Sequence, residues 1–195
     1  MKILMTAFEP FDNLDSNSSL EVLKKINNDE IVKVVLPVSY IRSKEKIIEA
    51  IASNSPDIVI CLGQAGMANS IRLEKLAINY TRASIPDNDG IKKELGFVIE
   101  GNKEAIFTNF PIEYMINDMT SSLIENYNVK LSISAGSYIC NSTYYVALNE
   151  MKGKALFIHL PYYKNQISDC NVFQMEIGEM VNTVNHIIDL LKKDC

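Results

Sequence analysis

Short apolar runs rich in β-branched residues alternate along this chain with stretches of helical period, the pattern of an α/β fold with a largely parallel sheet. Residues 1–8 read as a first strand that runs into the loop Glu9-Pro10-Phe11-Asp12-Asn13. Ser18 or Ser19 is expected to cap a helix that ends at Lys25. Residues 31–37 read as a second strand, and 41–52 as a helix with Ile41, Ile47, Ile48 and Ile51 on one face. Residues 57–62 form a central strand ending in Gly63-Gln64-Ala65-Gly66, and 71–80 read as extended. No clear period holds from 81 to 110; a stretch of that length in a compact domain is usually functional or hides irregular strands.

Pro111 is placed to open a helix reaching residue 126, with Ile112, Met115, Met119, Leu123 and Ile124 on its buried face. A strand over 130–135, a helix over 139–151 stopped by Gly153 and a strand over 154–159 follow. A final helix from about residue 172 to 193 carries an apolar stripe of Phe173, Ile177, Met180, Val184, Ile187 and Leu191. At 100° per residue His186 falls roughly 160° from the centre of that stripe, which assigns it to solvent.

The chain has 195 residues, 47% of them hydrophobic, enough for one full core and too few for a second folding unit. The expected fold is therefore a single-domain three-layer α/β/α sandwich with a mixed, largely parallel central sheet, spanning 1–195. A net charge of -5, with no basic run interleaved with aromatics, argues against a nucleic-acid partner. No apolar stretch approaches the roughly 20 residues that span a bilayer, and the N-terminus reads as a strand, not a leader; a soluble, cytoplasmic protein is expected.

The four cysteines at 61, 140, 170 and 195 are too far apart for a CxxC redox or zinc pair. Cys61, inside Asp57-Ile58-Val59-Ile60-Cys61-Leu62, reads as a core residue, and neither Cys170 nor Cys195 has a local reason to be activated. With two histidines and no His/Cys clustering, no metal and no cofactor is expected.

Cys140 differs. The segment Ser134-Ala135-Gly136-Ser137-Tyr138-Ile139-Cys140-Asn141-Ser142 puts its thiol in the first turn of a helix, where unpaired N–H groups and the helix dipole favour thiolate and can hold an oxyanion. His159, at the end of Ala155-Leu156-Phe157-Ile158, is the candidate base. Glu74, a charge between apolar neighbours in Ile71-Arg72-Leu73-Glu74-Lys75-Leu76, can orient the imidazole. Phe8, Phe11 and Gln64 follow other strand ends, where ligands gather in open α/β sheets. Taken singly, each has a plainer role: a structural cysteine, a core histidine, an edge-strand carboxylate, loop anchors and a turn amide.

Six segments in order make the chain resemble the pyroglutamyl peptidase I, or pyrrolidone-carboxylate peptidase, family of cysteine peptidases. They are Thr6-Ala7-Phe8-Glu9-Pro10-Phe11, Gly63-Gln64-Ala65-Gly66, Leu73-Glu74-Lys75-Leu76-Ala77-Ile78-Asn79, Ile85-Pro86-Asp87-Asn88-Asp89-Gly90, Ala135-Gly136-Ser137-Tyr138-Ile139-Cys140-Asn141 and Phe157-Ile158-His159-Leu160-Pro161-Tyr162. The resemblance implies a cysteine exopeptidase that cleaves after an N-terminal pyroglutamyl residue, with Cys140 as nucleophile, His159 as base then acid and Glu74 as orienting carboxylate. It implies a lactam pocket walled by Phe8, Phe11 and groups around Gln64, no cofactor, and a homotetramer or homodimer. Ile91, Phe97 and Val98 are the exposed-looking residues suited to such an interface.

Three departures from the family pattern carry expectations of their own. Ser84 stands where an active-site arginine is expected, and Arg82, two residues earlier on an extended segment, shares its face and is the candidate substitute. Asp12-Asn13 replaces a glycine pair, although both residues tolerate turn conformations. Met67-Ala68 and Ser142 replace polar or cationic groups. These changes define the alternative, a divergent and catalytically weak member that binds a lactam or peptide terminus.

Overall fold

The computed structural model describes residues 1–121 and 127–193. Its elements follow the order β1 (Ile3–Phe8), α1 (Ser18–Lys25), β2 (Ile31–Leu36), α2 (Arg42–Asn54), β3 (Ile58–Gln64), β4 (Ile71–Ile78), β5 (Tyr80–Thr81), β6 (Gly96–Phe97) and β7 (Ala105–Phe107). Then come α3 (Ile112–Ser121), β8 (Val129–Ser134), α4 (Ile139–Glu150), β9 (Ala155–Leu160), β10 (Tyr162–Tyr163), β11 (Gln174–Met175) and α5 (Ile177–Lys193). Seven strands form one sheet in the order β2-β1-β3-β9-β4-β7, with β8 also paired to β4. The pairs β1–β2, β1–β3, β3–β9 and β4–β8 are parallel, whereas β4 runs antiparallel to β9 and β7. The sheet is thus mixed and mostly parallel, as the alternation of strand and helix patterns predicts.

Side chains alternate across a strand, so each central strand feeds two cores. Ile3, Met5 and Ala7 of β1 with Ile58, Ile60 and Leu62 of β3 meet α1, α3 and α5 on one face. Leu4 and Phe8 of β1, Val59 and Cys61 of β3 and Phe157 of β9 meet α2 and α4 on the other. The candidate chemistry belongs to this second face. No helix among the described residues is long and apolar enough to cross a membrane.

Several expectations need correction. Asn17, not Ser18 or Ser19, caps α1: it has extended backbone angles and its side chain accepts from the Ser19 N–H. The two serines are spent elsewhere, since the Ser18 N–H reaches Gln64 and the Ser19 hydroxyl accepts from the Phe8 N–H. Helix α2 buries only Ser43, Ile47 and Ala50, leaving Ile41 and Ile48 exposed. Residues 172–176 are not helical, because Gln174 and Met175 pair with Tyr162 and Tyr163; Phe173 is consequently exposed and off the α5 stripe. Val98 is buried against the α4 face, which removes it from any exposed patch. His186 is half-buried, stacked on Tyr127 with ring centroids 5.0 Å apart and facing Asp118.

The irregular stretch after residue 81 does hide strands, β6 and β7. Asp12 and Asn13 adopt φ of 55° and 57°, the left-handed turn that the replaced glycines would also serve. Leu123, Ile124, the expected helix end at residue 126 and Cys195 lie outside the described residues.

Candidate active site

Gly136 sits at φ 84°, a conformation that turns the chain sharply after β8. Tyr138 is then extended as N-cap, and α4 begins at Ile139, placing Cys140 at its second position. The Ser142 N–H closes the first turn on the Tyr138 carbonyl, so the N–H groups of residues 139 to 141 remain unspent within the helix. A developing negative charge beside Cys140 has main-chain donors close by.

The base and carboxylate come from neighbouring strands. In the β4–β9 register Glu74 lies opposite Phe157 and Arg72 opposite His159, which makes Glu74 and His159 diagonal neighbours on one face. Their contact is direct: His159 Nδ1 donates to Glu74 Oε1 at 2.7 Å. The carboxylate is 1% exposed and the imidazole residue 8%. Nδ1 being committed to Glu74, Nε2 is the ring nitrogen left to face Cys140. Burial works against a charged His159, but its interactions with the Cys140 side chain and with the hydrogen-bonded Glu74 carboxylate outweigh it, pushing the imidazole up from 6.5 to about 9.

Gly63 explains how these groups come so close. It pairs with His159 across β3–β9, and a Cβ built on it would lie 2.6 Å from the Phe157 ring and 3.2 Å from Cys140 Sγ. Phe157 in turn packs on the His159 ring at 4.6 Å between centroids. Behind them Cys61 is fully buried, and burial raises its thiol to about 12. It is an inert core thiol, as the strand pattern predicts.

Beside Cys140 a cleft is lined by Phe8, Phe11, Asn17, Val38, Gln64, Tyr138 and Ile139. Its walls are tied to one another. Glu9 accepts from the Val38 N–H and from Asn88 Nδ2, Asn88 Nδ2 also reaches the Pro10 carbonyl, and the Tyr138 hydroxyl donates to the Pro86 carbonyl. Tyr138 stands edge-on to Tyr40 at 5.6 Å and tilted against Phe11 at 6.4 Å. Three backbone N–H groups, of Tyr40, Asp89 and Ile91, converge on the buried Asp87 carboxylate and fix the loop behind this wall. None of the lining residues is charged, so the cleft suits a small, uncharged, partly apolar group.

The structure therefore brings Cys140, His159, Glu74, Phe8, Phe11 and Gln64 together. It does not bring Ser84 and Arg82 into the cleft lining. Both are exposed on either side of buried Ala83, and Arg82 is held through its backbone, its N–H on the Ser137 carbonyl and its carbonyl accepting from the Ser137 hydroxyl. Asn17, Val38, Tyr138 and Ile139 were not singled out from the sequence. Tyr138 and Ile139 adjoin the nucleophile in one segment and Asn17 carries a capping side chain, whereas Val38 offers no sequence signal. Among the described residues no group of three or more His, Cys, Asp or Glu could hold a metal ion.

A family model described as pyroglutamyl peptidase matches residues 1–193. Pyrrolidone-carboxylate peptidase 2 of Caldanaerobacter subterraneus subsp. tengcongensis is 36% identical over 205 residues, covering 100% of this chain and 98% of that protein. The pyrrolidone-carboxylate peptidase of Brachyspira hyodysenteriae is 35% identical over 178 residues, covering 87% of each. Among solved structures, pyroglutamyl peptidase I of Bacillus amyloliquefaciens superposes with a TM-score of 0.88 at 29% identity, over 95% of this chain and 93% of that one. A mutant pyrrolidone carboxyl peptidase of Pyrococcus furiosus gives 0.91 at 28% identity, over 100% and 99%. With the match running the length of the fold and of the motifs that build the cleft, the chain belongs to the pyroglutamyl peptidase family.

Proposed function

We propose that this protein hydrolyses the amide bond that follows an N-terminal pyroglutamyl residue, through Cys140, His159 and Glu74. The observation that carries the reading is the 2.7 Å hydrogen bond that ties Glu74 to His159 beside Cys140, at the edge of a cleft with aromatic walls and an amide but no charge. A pyroglutamyl terminus is a flat, uncharged lactam, so its site needs apolar faces and amide-like partners, not a carboxylate for an ammonium.

In this mechanism His159 Nε2 takes the Cys140 thiol proton, and the sulfur attacks the carbonyl carbon that joins the lactam to the next residue. The resulting oxyanion is held by main-chain N–H groups in the first turn of α4. His159 gives its Nε2 proton to the departing amine as the C–N bond breaks, leaving a thioester on Cys140. The imidazole then takes a proton from water, whose oxygen attacks the thioester, and free pyroglutamate leaves as the thiol is regenerated. Glu74 holds the imidazole in the required tautomer and stabilises its cation. With Ser84 and Arg82 outside the cleft lining, oxyanion support in this chain falls to the main chain.

The test is release of a coumarin fluorophore from its pyroglutamyl amide by wild type and by Cys140→Ser. Release by the wild type alone is expected. Saturable binding of a pyroglutamyl peptide with no release above the Cys140→Ser background would instead establish the non-catalytic alternative.

A further inference from the structure

The segment after His159 returns to the residues that precede α1 and to Gln64. From Pro161 the chain forms β10, turns through Gln166 and returns as β11, with the Lys164 N–H on the Met175 carbonyl closing the excursion. Tyr163 and Gln166 latch it to the start of α1: the Tyr163 hydroxyl donates to Ser16 Oγ at 2.9 Å, and Gln166 Nε2 reaches the Ser16 carbonyl at 3.2 Å. The same Nε2 donates to Gln64 Oε1 at 2.6 Å.

The orientation of both carboxamides follows from backbone groups whose roles cannot be exchanged. Gln166 Oε1 accepts from the Tyr163 N–H at 3.0 Å, and its Nε2 faces the Ser16 carbonyl, so the donor end of Gln166 must point at Gln64. Gln64 Oε1 also accepts from the Ser18 N–H at 2.8 Å. Two donors therefore occupy the Gln64 oxygen, while its Nε2 makes no hydrogen bond to any described residue. Gln64 lines the cleft beside Cys140, and its two N–H groups are the part left to face a ligand there.

We propose that Gln166 is a positioning residue for substrate recognition. It holds the Gln64 carboxamide with its N–H groups turned into the cleft, where they donate to the ring carbonyl of the lactam. This rests on the pyroglutamyl reading given above and adds a residue that never touches the substrate. Without the Gln166 donor the Ser18 N–H alone restrains the amide, and a carboxamide held at one point rotates and presents its oxygen to the lactam oxygen in a fraction of molecules.

Gln64 would grip the ring equally in the ground state and the transition state, so loosening it raises KM and leaves kcat nearly unchanged. The experiment is a double-mutant cycle in the coumarin-amide assay, with Gln166→Met, Gln64→Ala and the pair, folding being checked by circular dichroism. Gln166→Met is expected to raise KM by about 10-fold, the size of one hydrogen bond, and in the Gln64→Ala background to change it by less than about 2-fold. Gln166→Glu keeps the acceptor for the Tyr163 N–H but opposes the Gln64 oxygen with another acceptor; it reads the same coupling if the methionine variant does not fold. Additive KM effects, or a fall in kcat at constant KM, would overturn the role of Gln166 while leaving the peptidase reading intact. Absence of wild-type turnover overturns both.

Discussion

Helices α4 and α5 pack on opposite faces of one sheet and obey different rules. Helix α5 is a surface helix: it buries Met180, Val184, Ile187, Ile188 and Leu191 along one side and turns residues such as Asn182, Asn185 and Asp189 outward. Helix α4 is buried on every side from Asn141 to Leu148, polar residues included. Its polar groups therefore need partners inside the protein. Asn141 bonds both backbone groups of Ile78 and the Tyr80 carbonyl, Tyr145 reaches the Lys103 carbonyl, and the Tyr144 hydroxyl donates to the Glu74 carbonyl at 2.9 Å. The helix that carries Cys140 thus grips the strand that carries Glu74. The difference teaches that α5 is anchored mainly through its apolar face, with polar contacts at His186 and Lys192 along its exposed side, while buried hydrogen bonds tie α4 to β4.

That contrast can be broken most forcefully at Glu74. Glu74→Gln keeps shape but replaces an acceptor with a group that can turn a donor toward His159 Nδ1, and kcat of the folded enzyme for the coumarin amide should fall by about 10³- to 10⁴-fold. A fall of less than 10-fold would remove Glu74 from the mechanism. On the other face, Ile187→Ala should cost about 2–5 kcal/mol in denaturant unfolding and leave kcat of the folded enzyme unchanged. A matching loss of kcat would show that α5 also aligns the site.

The smallest effect concerns pH. Since the folded protein raises the His159 imidazole from 6.5 to about 9, its contribution to stability is complete below pH 6.5 and is lost as pH rises through 9. The wild type should lose up to about 3 kcal/mol over that interval, and Glu74→Gln, lacking one source of the shift, should lose less. Parallel stability curves for the two proteins would contradict this, while a steeper wild-type curve would locate the pH dependence on the α4 face.

Most of the sheet was legible because its central strands are continuous apolar runs of β-branched residues, and Cys140 because a glycine turn precedes its helix. The expected strand over 130–135 and the observed β8 differ by one residue at each end. The misreadings share a cause. Ile41 and Ile48 fit a helical stripe, but α2 meets its neighbours along the narrow line of Ser43, Ile47 and Ala50, which a sequence period does not resolve. Phe173 extended the α5 stripe on paper; pairing of Gln174 and Met175 with β10 overrode it. Arg82 and Ser84 do share an exposed face, yet neither lines the cleft.

By itself, the sequence determined the fold class and the placement of Cys140, His159 and the first cleft residues at helix and strand ends, since these depend on periodicity, turn chemistry and position along the chain. Only the tertiary structure decided that Glu74 meets His159 at 2.7 Å, that Tyr138 closes the cleft wall, and that Gln166 orients Gln64 across 102 positions of chain. Such contacts depend on strand register and on which loops fold back together. No local pattern encodes those distances.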